Sequence, residues 1–143
     1  MYRLSGILFC MTRWLGNLFK IDRSLGARGE RAAAKYLKKK GYTIHVHNLR
    51  NRFGEIDLIA QPPDEKVIVI VEVKATRSDN PPPEVHVNRA KQAKLTALAG
   101  QVIRRFRLHN RVVRFDVVGV VWPEEADKPT RITHHPNAFG AVY

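Results

Sequence analysis

Three residues carry the first chemical suggestion in this sequence. Asp57 closes the block Gly54-Glu55-Ile56-Asp57, and after fourteen intervening residues Glu72-Val73-Lys74 ends an apolar run. Two carboxylates and an ammonium at the end of a buried strand are costly in isolation, so they are paired, solvated or bound to a metal. Hard oxygen ligands suit Mg²⁺ or Mn²⁺, which keep several waters and accept one or two carboxylates. Asp57 and Glu72 can supply such oxygens, and the backbone carbonyl of Val73 can add a third. Lys74 stands two residues on, where it can orient a water, ease its deprotonation and stabilise charge on an attacked phosphate. The competing reading of the same residues is a structural Asp–Lys–Glu salt-bridge cluster.

The elements that would position these groups can be read around them. β-branched runs on either side of Gln61-Pro62-Pro63-Asp64-Glu65 predict two strands joined by a polar turn. Strict alternation would give Glu55 and Asp57 one face, and Glu72 and Lys74 one face. Antiparallel pairing would then bring Asp57 beside Glu72 and Lys74.

Residues 26 to 40, rich in Ala, Lys and Leu, predict a helix with Gly41 as its C-terminal stop. Its apolar stripe of Ala27, Ala33, Ala34 and Leu37 contains Glu30, an unusual residue for a core-facing position. Glu30 is then either functional or a solvated acid near the helix start, where the macrodipole favours it. Tyr42 to Asn48 predicts a strand. Its His45 and His47 have no third ligand at a metal-binding spacing and are taken as ordinary strand histidines.

The proline-rich stretch 75 to 84 predicts a loop over the charged cluster, with Arg77 either touching phosphate or solvated. Residues 85 to 107 predict a long helix with a stripe of Leu95, Leu98 and Val102 that Lys91 extends. Residues 112 to 121 predict a strand whose apolar run Asp116 interrupts, paired with Arg114 or a site lysine. Residues 131 to 134 add a short last strand. The order helix, strand, strand, strand, helix, strand predicts an α/β fold, a sheet with helical cover.

Composition narrows the partners. Lys and Arg number 25 against 13 acidic residues, a formal charge of +12 that favours a polyanion, most simply nucleic acid. The single Cys10 excludes an intrachain disulfide and fits a reducing compartment, so the expected location is cytoplasmic. No integral membrane span is expected. Residues 1 to 25 carry leucines at helical spacing among basic residues and form an amphipathic N-terminal leader, docked or frayed, ahead of a domain at 26 to 143. Glycine-rich phosphate loops and a Gly-x-Ser-x-Gly elbow are missing from the sequence, which leaves metal-assisted hydrolysis of a polyanion.

At this point the sequence resembles the YraN family, bacterial proteins described as uncharacterised and as predicted endonucleases. The matching blocks are Gly26-x-x-Gly29-Glu30-x-x-Ala33, Gly41-Tyr42, Asn48-x-Arg50 and Gly54-Glu55-Ile56-Asp57-Leu58-Ile59. They continue with Val71-Glu72-Val73-Lys74, Lys91, Arg114-Phe115-Asp116-Val117-Val118 and Asn137-Ala138-Phe139. That family looks distantly similar to archaeal Holliday-junction resolvases of the PD-(D/E)xK nuclease superfamily. The resemblance implies a restriction-endonuclease-like core, a mixed sheet flanked by helices. It implies a Mg²⁺-dependent endonuclease acting on DNA, with branched or junction DNA as the resolvase-like substrate and a homodimer as the resolvase-like assembly. Asp57, Glu72 and Lys74 match the superfamily's catalytic triple, and Glu30 matches the helix glutamate that assists metal binding. Glu55, Arg77, Lys91 and Asp116 would support the metal-holding groups from behind or contact the substrate. Ile56 stands where the superfamily has proline. A nucleic-acid-binding protein that keeps the fold without catalysis is the alternative.

Overall fold

The computed structural model describes residues 23–63, 66–83 and 87–142. The leader, apart from its last three residues, and Cys10 lie outside the described residues. Helix α1 (Leu25–Lys39) is followed by strands β1 (Thr43–Asn51), β2 (Gly54–Gln61) and β3 (Val67–Thr76). Helix α2 (Arg89–Phe106) then leads to β4 (Val112–Val121) and β5 (Arg131–Phe139). The sheet order is β1-β2-β3-β4-β5, with β3 and β4 parallel and every other pair antiparallel. Parallel neighbours need a crossover, and α2 provides it between β3 and β4. This five-stranded mixed sheet with a helix on each side is consistent with the restriction-endonuclease-like core that the sequence implied.

Local sequence accounts for the helices. Ser24 accepts the Ala27 N–H on its hydroxyl at 3.2 Å, and Gly41, at φ +89°, turns the chain out of α1. Asn88 caps α2 by accepting the Lys91 N–H at 3.0 Å. This cap sets the start of α2 at Arg89 rather than at residue 85.

Two clusters fill the core. On one side Ala33, Ala34 and Leu37 of α1 pack on Leu58, Ala60, Val69, Val71, Val118 and Val120. On the other, Leu95, Leu98, Ala99 and Val102 of α2 pack on Ile56, Ile59, Ile68, Ile70 and Phe115. Alternation in β3 and β4 divides the valines and isoleucines between the two helices.

Three further expectations change. β3 runs on through Ala75 and Thr76, so the loop after the charged cluster begins at Arg77. β5 extends to Phe139 rather than stopping at His134, because Phe139 pairs with Phe115 and stacks on it with centroids 5.0 Å apart. Alternation also fails within the first hairpin. Val46 and Leu49, three residues apart, both pack on the α2-side cluster, and so do Ile56 and Ile59. In an even strand, residues three apart face opposite ways. The pairs His47↔Leu58 and Leu49↔Ile56 bracket Asn48 and Asp57, so both strands slip in phase at the same place. Asn48 absorbs the slip at φ +55°, a left-handed conformation that Asn tolerates better than most residues.

Candidate metal and nucleic-acid site

The slip determines where Asp57 points. The β2–β3 ladder is registered at Ala60↔Val69, Ile59↔Ile70 and Leu58↔Val71 and goes no further. Beyond it the Asp57 side chain takes over: its Oδ2 accepts the Val73 N–H at 2.7 Å. Asp57 therefore sits in the fork where β2 and β3 part, with only 6% of its surface exposed. Local irregularities of this kind re-aim side chains next to functional sites.

Glu72 lies on β3 on the α2 side and is 2% exposed. Its Oε1 is 2.9 Å from Lys74 Nζ and its Oε2 is 3.2 Å from Lys91 Nζ. Oε2 takes part in the second pair as a charge contact only, since it accepts no hydrogen bond. The two lysine side chains are 29% and 25% exposed and form the wet rim over this carboxylate. Lys91 arrives from the first turn of α2, on the stripe that buries Leu95 and Leu98.

Burial pushes the Asp57 carboxyl up to about 7, and the neighbouring charge of Glu72 pushes the same way. Glu30 adds to the rise, while the Val73 N–H and Lys91 oppose it. Glu30 reaches this field from α1, which packs closely against β3: a Cβ built on Gly29 would lie 2.6 Å from the Ala75 Cβ.

The donor set fits a hard divalent cation. Its oxygens are carboxylates, one buried Glu72 oxygen takes no hydrogen bond, and burial makes ionising Asp57 costly, a cost that a cation would relieve. Among the described residues no three acidic, histidine or cysteine side chains are grouped so as to hold an ion by themselves. The protein's share would therefore be one or two carboxylates, with water completing the shell, as is usual for Mg²⁺.

The profile of uncharacterised protein family UPF0102 matches residues 29–120. The chain belongs to this family. A UPF0102 protein of Rhodopirellula baltica is 43% identical over 122 residues, covering 85% of this chain and 73% of the relative. One from Pelobacter propionicus is 37% identical over 124 residues, covering 85% and 86% of the two chains. One from Thermodesulfovibrio yellowstonii is 45% identical over 116 residues, covering 80% and 95%. UPF0102 is the YraN family, so the resemblance read from the motifs holds. The matched span runs from the glycine before Glu30 to the penultimate residue of β4 and contains every group just described.

The remaining sequence candidates lie elsewhere in this UPF0102 fold. Glu55 does not join Asp57 in the site: it is 46% exposed and pairs with Arg50 at 3.2 Å. Arg77 is exposed and reaches the Trp122 carbonyl at 3.5 Å. Asp116 is fully buried and pairs with Arg114 rather than with a site lysine. Arg114 donates to both of its oxygens at 2.8 Å, His134 Nε2 is 2.8 Å from Oδ2, and the Asn137 N–H donates to Oδ1 at 2.9 Å. Burial alone would push the Asp116 carboxyl up, but these three partners hold it below its ordinary value. His45 pairs with Gln61 at 2.8 Å, as an ordinary strand histidine.

Sequence reasoning missed the positioning residues. Asn48 and Gly29 matched the resemblance without a role. The available signals were an Asn inside a β-branched strand and a Gly inside a helix, both poor formers of their element.

Proposed function

We propose that this protein is a Mg²⁺-dependent nuclease that hydrolyses phosphodiester bonds in DNA. The observation that carries the proposal is the pair of buried carboxylates, Asp57 in the fork between β2 and β3 and Glu72 on β3, rimmed by Lys74 and Lys91. A bound Mg²⁺ would neutralise the phosphodiester and acidify a water. Asp57 and Glu72 would hold it, with the Val73 carbonyl as a further oxygen and Glu30 supporting the shell. Lys74, partly exposed and anchored on Glu72 Oε1, holds its proton at Nζ toward the attacking water and the phosphate oxygens. Lys91 balances Glu72 from the opposite oxygen. The water oxygen bonds to phosphorus, one bridging P–O bond breaks, and the proton lost by the water is matched by one gained at the departing oxygen. The charge of +12 supplies salt-sensitive attraction to the backbone.

A second reading has its own support. Glu72 is already neutralised by two ammonium groups, which weakens its claim on an ion, and the charge of +12 attracts nucleic acid without one.

One experiment separates the two. Purified chain is incubated with branched, flapped, duplex and single-stranded DNA in Mg²⁺ or Mn²⁺, beside Glu72→Ala and Lys74→Ala. The nuclease reading expects cleavage by the parent, none by either variant, and binding retained by both. Unchanged cleavage by both variants overturns the site assignment. Binding without cleavage under every metal and substrate establishes the second reading, and competition with RNA decides the nucleic-acid type.

A further inference from the structure

The tip of the β1–β2 hairpin presents an aromatic ring to solvent beside the proposed site. Phe53 is 54% exposed, one of two large hydrophobic residues left exposed among those described. The turn that presents it is fixed rather than loose. The Asn51 side-chain oxygen accepts the Phe53 N–H at 2.8 Å, and the Asn51 amide donates to Gln101 of α2 at 3.3 Å. Gly54 follows at φ +145°, and a Cβ there would stand 3.2 Å from Leu98 of α2. The ring is thus held out by a turn tied to a helix, at little entropic cost on binding.

Its surroundings are cationic. The Arg52 guanidinium lies 4.7 Å from the Phe53 ring centroid. Arg104 and Arg105, exposed on α2, lie one turn beyond the Gln101 that anchors Asn51. A rigid exposed ring beside guanidinium groups matches the π-face and flanking phosphates of a nucleic acid. The ring is also near the chemistry. Phe53 lies four positions before Asp57, at most about 13 Å of strand. That is about four steps of a stacked nucleic-acid strand.

We propose that Phe53, presented by the β1–β2 hairpin, stacks on an unpaired base of a nucleic acid whose backbone crosses the Asp57–Glu72 site, so that the preferred substrate carries an unpaired base a few steps from the phosphate at that site. The inference rests on the nuclease reading for the second site only; the stacking itself needs nucleic-acid binding alone.

The test is binding by the full chain in EDTA, so that cleavage is not read. Two labelled duplexes are compared: one fully paired, and one identical except for a gap opposite a 2-aminopurine, whose fluorescence reports stacking. The parent is expected to bind the gapped duplex roughly tenfold more tightly and to quench the aminopurine. Phe53→Ala abolishes the preference and the quench while keeping paired-duplex affinity within about twofold. Phe53→Tyr, which keeps the ring, retains both. Arg52→Gln weakens both duplexes and reduces the salt slope by about one. Equal binding of the two duplexes by the parent, a preference surviving in Phe53→Ala, or no DNA binding overturns the inference. A protein that shows the preference but cuts nothing sinks the nuclease reading alone. One that cuts through Glu72 and Lys74 without the preference sinks this inference alone.

Discussion

Gly29 and Ala75 are in contact with no room for a side-chain carbon between them: a Cβ at Gly29 would fall 2.6 Å from that of Ala75. The two residues adjoin the site from opposite elements, since Glu30 follows Gly29 in α1 and Lys74 precedes Ala75 in β3. Gly29→Ala would force α1 off the sheet, at about 1–3 kcal/mol of stability, the usual cost of overpacking. Glu30 would withdraw with it, and the Asp57 carboxyl should fall. Adding Ala75→Gly removes the clashing methyl and should restore both quantities. Thermal melts and carboxyl NMR of the single and double variants test this, and a double variant no better than the single would contradict the close approach as the cause.

Glu72 is coupled to Asp57 by charge, so neutralising it has a readout besides cleavage. Glu72→Gln should bring the Asp57 carboxyl down from about 7 toward the ordinary carboxylate range. Lys91→Met should move it the other way, because the ammonium of Lys91 opposes the rise. Carboxyl titration by NMR in metal-free buffer distinguishes the two directions. Shifts of the same sign in both variants would mean that burial changes, rather than charge, dominate.

The parts of this site legible in the sequence were those where one residue violates its own pattern. Glu72 and Asp57 interrupt apolar strands, and Glu30 and Lys91 stand on apolar helix stripes. A burial rule alone therefore marks them, and the structure brings Lys91 onto Glu72 and the field of Glu30 onto Asp57. What was not legible depends on two strands at once. The slip at Asn48 and Asp57 cannot be seen in either strand singly, and neither can the cross-strand pair with Arg50 that engages Glu55 away from the site. The second half of β5, His135 to Phe139, has no strand-like alternation. It is held by partners on β4, notably Phe115 and the Asp116 carboxylate.

Asp116 provides a structural control for the site. It is buried with Arg114, His134 and the Asn137 N–H around one carboxylate, and Arg114 also donates to the Tyr42 hydroxyl at 3.0 Å. Asp116→Ala leaves a guanidinium without its partner, which costs about 3–5 kcal/mol when a buried pair is broken. Asp116 is held below its ordinary value when folded, so its contribution is present above the unfolded carboxylate range. It is lost as pH falls through the depressed folded value. Denaturant melts from pH 7 downward should show the parent losing an acid-sensitive component that the variant lacks. Any cleavage per folded molecule should be unchanged, and a specific loss of cleavage would place Asp116 in the chemistry.

Asp57 has the opposite sign, and its titration links stability to metal. Its folded value of about 7 lies above the ordinary carboxylate value of 3.8, so the folded state binds this proton more tightly than the unfolded chain. Ionisation is then a folded-state penalty that begins near pH 4 and is complete above about pH 8, on the order of a few kcal/mol. Asp57→Asn keeps the size of the side chain and removes the charge. It should raise the melting temperature of metal-free protein most at pH 8, less at pH 5 and little below about pH 4. Mg²⁺ should stabilise the parent at pH 8 and leave Asp57→Asn nearly unaffected, because an ion binding at Asp57 competes with its proton. Calorimetry near pH 7 in buffers of different ionisation enthalpy should show release of a fraction of a proton, up to one, on Mg²⁺ binding. Equal Mg²⁺ stabilisation of the two proteins, or binding with no proton released, would remove Asp57 from the metal site.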